Sequence, residues 1–545
     1  MKRILIILFC ILISVPVVFP FFQSGYFPTH DGEWAVVRLG DMFRTLRDFQ
    51  IPARYSGNLN FGYGYPLFNF TYPFPYYFGV FLHFFGFGFV NAIKFIFAIS
   101  VFLSAFFMFL TSRELWKNTW AGIACSVLYI YFPYRMVDLY VRGSIGESLS
   151  FALFPLLFYL AIKLITEPSF LVIGGIAVSV AILIMSHNIM AVLFLPIYLV
   201  FTLILTILKN KKAVKLFAIS ILFGFCLSAF FWVPALFEKN NILLSQIPIA
   251  DRNLYFVNFK QLIFPSWGYG APIEADGFSY QLGLAQIVVF IIAILSLFSV
   301  IIKGRKHPKT FSVKIAFSLM VFIIFYVSLL FKSSEFLWEN IPLLSEINYP
   351  WIILGILGFL ISLLAGSLCT HVIGKYAVVI LGIVSMIAVI PYAKPQYYIN
   401  KGDGYYLTND ATTTSSNELM PLWVMEMPTK RMENKVEVVG GIADLKNISF
   451  NSKRIDLSVN ASSQSLVRIN TIYYPGWKAT IDNKDTPISH ANEKGVMDIH
   501  VGSGEHFIQV RFGETNLRLV SDIISVLSFF ALAFLVSKGR KYEFS

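Results

Sequence analysis

The chain has 545 residues, 57% of them hydrophobic and only 14% charged, with a mean hydropathy of +0.68. A soluble globular protein carries about 25% charged residues, so this composition excludes a soluble enzyme, a disordered chain and a secreted disulfide scaffold. Apolar runs near bilayer length recur from end to end, which defines an α-helical polytopic membrane protein.

Hydropathy places about twelve spans, at Ile4–Phe22, Val90–Leu110, Thr119–Phe132, Leu149–Ile165, Phe170–Met185, Ile189–Leu208, Leu216–Phe237, Leu282–Ile302, Ile315–Leu330, Tyr349–Cys369, Tyr376–Tyr392 and Val520–Val536. Ile4–Phe22 follows a basic start but has no Ala-x-Ala-like site after it, and reads as a retained first helix. The net charge of +12 is a positive-inside signature and no nucleic-acid footprint. With the N-terminus inside, the short cytoplasmic segments hold about 18 bases, Lys2, Lys303, Arg305, Lys306 and Lys309 among them, and about 3 acids (Glu114, Glu167, Glu543). That is roughly +15 inside against roughly −3 elsewhere. Both termini are thus expected in the cytoplasm of a cell membrane, Lys538, Arg540 and Lys541 closing the tail. Cys10, Cys125, Cys226 and Cys369 all fall inside predicted spans and are expected to be packing residues.

The predicted organisation is a transmembrane domain over 1–392 with a large first outer loop at 23–89, a non-cytoplasmic β-rich domain over 393–519, and a last span with its tail over 520–545. In the first loop Ala35, Leu39, Met42, Leu46 and Phe49 recur at helical spacing, with charges between them. That pattern predicts an amphipathic helix lying at the outer membrane face and ended by Pro52. The aromatic, Gly- and Pro-rich run Phe61–Tyr77 is expected to dock on the bundle or sit at the lipid interface. In the C-terminal segment, after a polar stretch at Thr408–Ser416, alternation marks strands at Ile455–Val459, Val467–Ile472, Val496–Val501 and Phe507–Phe512. Asp482–Asp485 is a turn between strands of a small antiparallel sandwich.

Candidate chemistry lies in the outer loops. Asp31, just past the first helix, is either an interfacial helix cap or a functional carboxylate. His30-Asp31 is no metal site by itself. The run Tyr131–Glu147 sets Arg135, Asp138, Arg142 and Glu147 between two short spans. It reads as internal salt bridges or as a phosphate site, because guanidinium forks hold phosphate oxygens bidentately. His187 marks a turn between two spans. Tyr473, Tyr474 and Trp477 crowd one turn-like run, either as a surface for sugar rings or as packing at the sandwich edge.

Gly62-Tyr-Gly-Tyr-Pro-Leu-Phe-Asn-Phe70, Pro133-Tyr-Arg-Met-Val-Asp-Leu-Tyr-Val-Arg-Gly143 and Ser186-His-Asn188 resemble a bacterial and archaeal membrane family labelled 6-pyruvoyl-tetrahydropterin-synthase-related. Tyr473–Asp482 is similar to the C-terminal domain of YfhO-like membrane proteins. Both resemble the C-type glycosyltransferases, multi-span enzymes that take sugars from polyprenyl-phosphate carriers. The resemblance implies a donor of that kind, a cell-envelope glycan, lipid or protein as acceptor, and surrounding membrane lipid. It implies Asp31 as catalytic base; for that chemistry Arg135 and Arg142, with His187 behind them, are the candidates at the donor phosphate and Glu147 an orienting group or second carboxylate, while Tyr473, Tyr474 and Trp477, as aromatic faces suited to sugar rings, are the candidates toward the acceptor. Relatives often carry an Arg where Ile352 follows Tyr349-Pro-Trp. No cofactor motif is visible, although a divalent metal ion would suit a phosphate leaving group. The competing readings are a transporter or flippase of lipid-linked glycans, and a non-catalytic envelope-assembly protein with a glycan-binding β-domain.

Overall fold

The computed structural model describes residues 3–272, 277–302, 310–370 and 372–538. Of the charges counted toward the inside bias, Lys2, Lys303, Arg305, Lys306, Lys309, Arg540, Lys541 and Glu543 lie outside these described residues.

Helix α1 (Arg3–Val18) leads through a 3-10 turn at Phe19–Phe22 into the first loop, which holds α2 (Gly32–Arg47) and α3 (Phe74–Phe84). Then come α4 (Phe89–Trp116), α5 (Thr119–Ile130), the short α6 (Pro133–Val137) and α7 (Ile145–Thr166). The bundle continues with α8 (Phe170–Ser186), α9 (Asn188–Lys209), α10 (Ala213–Leu227), α11 (Ala229–Phe237), α12 (Leu284–Ile302), α13 (Thr310–Leu329), α14 (Leu354–Leu368) and α15 (Val372–Val389). A final helix, α16 (Asn516–Ser537), follows the strands.

Every predicted span falls on an apolar helix. Among the described residues eight helices are long and apolar enough to cross a bilayer, or nine if α10 and α11, bent by 68°, form one span. Helices α5 and α8, and the stretch Leu284–Ser299 of α12, are apolar but shorter. At about 1.5 Å per residue a hydrocarbon core of about 30 Å needs about 20 residues. Cys10, Cys125 and Cys369 are buried, Cys226 is half-buried, and all four are free thiols.

Local chemistry explains the helix ends and breaks. Asn118 caps α5 by accepting the Trp120 N–H at 2.8 Å, and Ser169 caps α8 through Val172 N–H at 3.3 Å. Pro155 inside α7 offers no N–H to the Phe151 carbonyl, and the Tyr129 hydroxyl donates to that carbonyl instead at 2.7 Å.

The predicted strands are present, within eight antiparallel ones. Strands β1 (Val436–Gly440), β4 (Ser465–Ile472) and β7 (Val496–Val501) form one sheet in the order β1-β4-β7. Strands β2 (Ala443–Phe450), β3 (Arg454–Ala461), β5 (Trp477–Ile481), β6 (Lys484–Thr486) and β8 (Gly504–Phe512) form the other, ordered β2-β3-β8-β5-β6. The expected turn is the β5–β6 hairpin, with Asp482 (φ 50°) and Asn483 (φ 66°) in the left-handed region that two-residue hairpin loops require. Residues Ala393–Lys435 carry no strand and run back over the first loop. There Ile399 pairs with Tyr26, and the Asp403 carboxylate caps α4 by accepting the Phe89 and Val90 N–H groups at 2.7 and 3.0 Å.

Both faces of α2 are covered, so it is more than an interfacial helix. Its apolar residues Ala35, Leu39 and Met42 are buried, while on the other side Asp41 accepts from Asn58 at 3.1 Å and Asp48 accepts the Ser452 N–H at 2.8 Å. The helix ends at Arg47, ahead of Pro52. The aromatic run docks: Tyr63, Tyr65, Leu67 and Phe68 are buried in a core that is continuous with that of the β-sheets.

Ion pairs join sheets and bundle. Glu238, at the end of α11, accepts from Arg518 at 2.7 and 3.0 Å, Asn69 at 2.9 Å and the Tyr474 hydroxyl at 3.3 Å through one oxygen, and from the Thr515 hydroxyl at 3.2 Å through the other. Arg54, 1% exposed, binds Asp522 at 2.7 Å, Glu514 at 3.4 Å and the Phe230 carbonyl at 2.5 Å. Removing one partner strands a buried charge, whereas replacing both by apolar groups does not. Glu238→Ala should therefore destabilise the protein by about 3–5 kcal/mol, and Glu238→Leu with Arg518→Leu by clearly less. Thermal unfolding of the detergent-purified variants checks the order.

Candidate active site

The site is built where the chain leaving α1 meets the turn between α6 and α7. Tyr131 and Tyr140 donate their hydroxyls to the Ile13 carbonyl (2.8 Å) and the Val17 carbonyl, fixing the end of α1 against that turn. Residues Asp138–Arg142 form a turn of π-helix, a local widening common at functional sites. The carbonyls of Val141 and Arg142 then accept the His30 and Asp31 N–H groups at 3.0 and 2.8 Å. Gly143 closes the turn at φ +65°, and a Cβ there would come within 2.2 Å of Thr29 Oγ1 and 2.9 Å of Gly32 N. The close approach that seats Asp31 beside Arg142 thus needs glycine.

Asp31 occupies the N-cap position of α2, yet its carboxylate caps nothing. The Gly32 N–H goes to Thr29 Oγ1 at 2.9 Å instead. Among the described residues the Asp31 carboxylate makes no hydrogen bond, and its charge acts on Arg142, Glu147, Tyr72 and Tyr349.

Arg142 is 9% exposed and lies over the Trp351 ring at 4.6 Å, a cation–π contact. Its Nη1 donates to the Tyr134 hydroxyl at 3.1 Å and to Glu147 Oε2, while Tyr134 donates to Glu147 Oε1 at 2.7 Å. The Nε and Nη2 edge of Arg142 has no protein partner among the described residues, and neither atom is sealed from solvent. Of the four charged residues in this loop, only Arg142 and Glu147 form an ion pair among the described residues. Asp138 accepts from the Ser148 hydroxyl through one oxygen and leaves the other buried and unpartnered. Arg135 is turned into the bundle, with Nη2 3.1 Å from Ser104 Oγ, the guanidinium 4.8 Å over Phe151, and a buried Nη1 without a partner.

His187, buried at the turn between α8 and α9, caps α9 by accepting the Met190 N–H on Nδ1 at 3.2 Å. Its ring stacks on Tyr72 at 5.3 Å. Burial and the neighbouring Arg142 push its pKa down to about 3. His187 is therefore neutral at physiological pH, and with Nδ1 accepting, its proton sits on Nε2. Asp31, Arg142, Glu147 and His187 thus come together.

Tyr473, Tyr474 and Trp477 lie apart from these residues, at the junction of sheet and bundle. Tyr474 is fully buried between Phe70 and Arg518, and Trp477, 4% exposed, packs against Tyr55 and Phe512. Tyr473 is half-buried and stacks on His490 at 4.3 Å beside Trp423. No group of three or more His, Cys, Asp or Glu with metal-holding geometry occurs among the described residues.

Sequence reasoning passed over Thr29, Tyr72, Tyr134 and Trp351. Tyr134 had a signal, since it stands inside the charged run and a buried phenol needs a partner. Trp351 stands next to Ile352, the position where the resemblance suggested an arginine. Ile352 is buried, and it is Trp351 that faces the guanidinium, that of Arg142.

Fold and site together define a multi-pass α-helical membrane protein with a charged, partly open cluster at the end of the bundle that carries the β-sheets. The family profile described as "6-pyruvoyl-tetrahydropterin synthase related domain; membrane protein" matches residues 68–399, more than half of the chain, and the protein belongs to that family. An "Uncharacterized protein" of Lactococcus lactis subsp. cremoris (strain MG1363) is 24% identical over 326 residues, covering 58% of this chain and 52% of the relative. The chain therefore spans about half the length of that curated relative. Among solved structures, the cryo-EM structure of the arabinofuranosyltransferase AftD from mycobacteria aligns at 15% identity and a TM-score of 0.47, covering 74% of this chain and 28% of that one.

If Thr29 rather than Asp31 caps α2, the two substitutions separate. Thr29→Ala should cost about 0.5–2 kcal/mol of stability, and Asp31→Asn no more than a few tenths. Thermal unfolding of both variants decides the point.

Proposed function

We propose that the protein is a membrane glycosyltransferase of the C type, moving a sugar from a polyprenyl-phosphate-linked donor to a cell-envelope acceptor on the non-cytoplasmic face. One observation carries the reading: the carboxylate of Asp31 is unengaged and within electrostatic reach of Arg142, whose Nε–Nη2 edge has no protein partner among the described residues. A base and an oxyanion holder side by side are what transfer from a glycosyl phosphate requires. The acceptor hydroxyl attacks the anomeric carbon, its proton passes to Asp31, and the bond from that carbon to the phosphate oxygen breaks. The transition state has oxocarbenium character, as in glycoside hydrolysis. Arg142 holds the departing phosphate as a fork, with the His187 Nε2–H as a second, uncharged donor. Glu147 and Tyr134 orient Arg142, and Arg135 braces the π-turn from within.

The acceptor, a glycan, lipid or protein of the envelope, would approach from the β-domain. Of the run Tyr473, Tyr474 and Trp477, Tyr473 with Trp423 and His490 offers ring surface, and the other two hold the turn. The positive-inside bias supports cytoplasmic termini, with the site on the opposite face. A transporter needs ionisable groups free within its apolar helices. Lys94 and Asp522, which fall within predicted spans, are engaged, Lys94 by the Gln23 and Gly25 carbonyls at 2.5 and 2.9 Å and Asp522 by Arg54.

Asp31→Asn keeps shape but cannot take a proton, and should lower transfer by at least about 10²-fold in purified protein supplied with polyprenyl-phosphate-linked sugar. Near-full activity of that variant would overturn the assignment. Arg142→Lys keeps the charge and loses the fork, so the donor KM should rise about ten-fold or more. An unchanged donor KM would return Arg142 to a purely structural ion pair.

A further inference from the structure

A second polar cavity, of about 300 Å³, lies between the C-terminal half of α2 and the β-sheets. Arg44, in its wall, is thirteen residues from Asp31, about 20 Å along the helix. This is therefore a separate place from the cluster around Arg142. Its size matches the lower end of small-molecule sites, which run from about 300 to 1,000 Å³.

The lining is unusual for a mere packing gap. Arg44 and Arg47 both line it, and among the described residues neither guanidinium makes an ion pair or a hydrogen bond; Arg44 acts electrostatically on Asp41, and the exposed Arg47 lies 5.8 Å over Phe43. A third basic group, Lys435, whose pKa burial lowers to about 7, is held in place by the Gly62 and Asn470 carbonyls at 2.9 and 3.2 Å. Asp48 is the one acidic residue in the lining, and its carboxylate already accepts the Ser452 N–H. Thr471, 3% exposed, also lines the cavity. Phe450, 58% exposed, adds an aromatic face at the rim.

Two guanidinium groups without a hydrogen-bonded acceptor and a ring face at the rim together suit a ligand that is anionic and partly apolar on one face. We propose that this cleft binds an anionic saccharide unit, carrying a carboxylate or phosphate, in a stretch of the acceptor remote from the reacting hydroxyl. The role as acceptor site rests on the glycosyl-transfer reading; the binding itself does not. Because one wall is α2 and the other the β-domain, the ligand would bridge the two and lead the rest of the glycan along α2 toward Asp31.

The test uses the full-length protein in neutral detergent and measures binding of tri-galacturonic acid and of maltotriose by calorimetry, repeated in phosphatidylglycerol nanodiscs. Tri-galacturonic acid should bind, and maltotriose should bind at least about ten-fold more weakly, as expected when charge-assisted bonds are absent. Arg44→Gln with Arg47→Gln should lower the acidic sugar's affinity at least about ten-fold. Arg44→Lys with Arg47→Lys should retain part of it. Equal affinity for the two trisaccharides, no binding of either, or full binding by the Gln pair would overturn the proposal. Loss of acidic-sugar binding in the phosphatidylglycerol nanodiscs would overturn it too, in favour of a lipid headgroup. Asp31→Asn should bind tri-galacturonic acid as the unaltered protein does. Failure of the transfer reading, seen as transfer that survives Asp31→Asn, is thus scored separately from failure of this site.

Discussion

A guanidinium removed from water must find acceptors for its N–H groups or lose several kcal/mol, and four buried arginines organise this molecule. Arg54 ties the first loop to the Phe230 carbonyl and to Glu514 and Asp522. Arg518 ties α16 to Glu238 at the end of α11. Arg142 ties the π-turn to Glu147 on α7, and Arg135 ties α6 to Ser104 on α4. The partners of Arg54 and Arg518 are distant in sequence, so those two interactions form only when β-domain, first loop and helices are all in place. The sheets are accordingly no appended module: their core runs on into that of the first loop.

The same constraint shapes the site. Arg142 is held on one face by Trp351 and at one nitrogen by Tyr134 and Glu147, which fixes its plane without using its whole fork. Asp31 is presented by backbone alone, through hydrogen bonds from His30 and Asp31 to Val141 and Arg142 that Gly143 permits. Because Thr29 takes over the capping of α2, the carboxylate stays unengaged. A fixed guanidinium and an unengaged carboxylate are therefore joined by two hydrogen-bonded turns.

Much of this was legible in the sequence, and what was not has a physical reason. Span positions follow from hydropathy because lipid demands long apolar helices, and the strand positions follow from alternation because each sheet buries one face. Lengths are harder: α5 and α8 end early at their turns, and α10 and α11 break sharply. Arg142 and Glu147 were visible because charge in an apolar chain stands out. Their partner Trp351 was not, since 209 positions separate it from Arg142 and only the fold brings them together. The polar stretch at Thr408–Ser416 looks solvated by composition, yet Thr413 is buried and accepts from Arg38 through both its hydroxyl and its carbonyl. Such side-chain to backbone docking leaves no periodic trace. Tyr474 and Trp477 illustrate the reverse difficulty, since an aromatic run serves a sugar or a core equally well until burial is known.

The charges within the cluster also bear on how one site could serve both a base and a leaving group. A bare guanidinium beside a carboxylate favours the ionised form and so weakens that carboxylate as a base. A site without any donor would leave the departing phosphate unsupported. Glu147 pairs with Arg142 on the Nη1 side, while the Nε–Nη2 edge keeps its N–H groups free of protein partners among the described residues. His187 follows the same logic. Burial holds it neutral and the Met190 N–H fixes its tautomer, so it presents a donor without adding a second positive charge near Asp31. On the proposed reading the phosphate would be met chiefly by directed hydrogen bonds rather than by net charge. A lysine at position 142 would keep the charge and lose that fork.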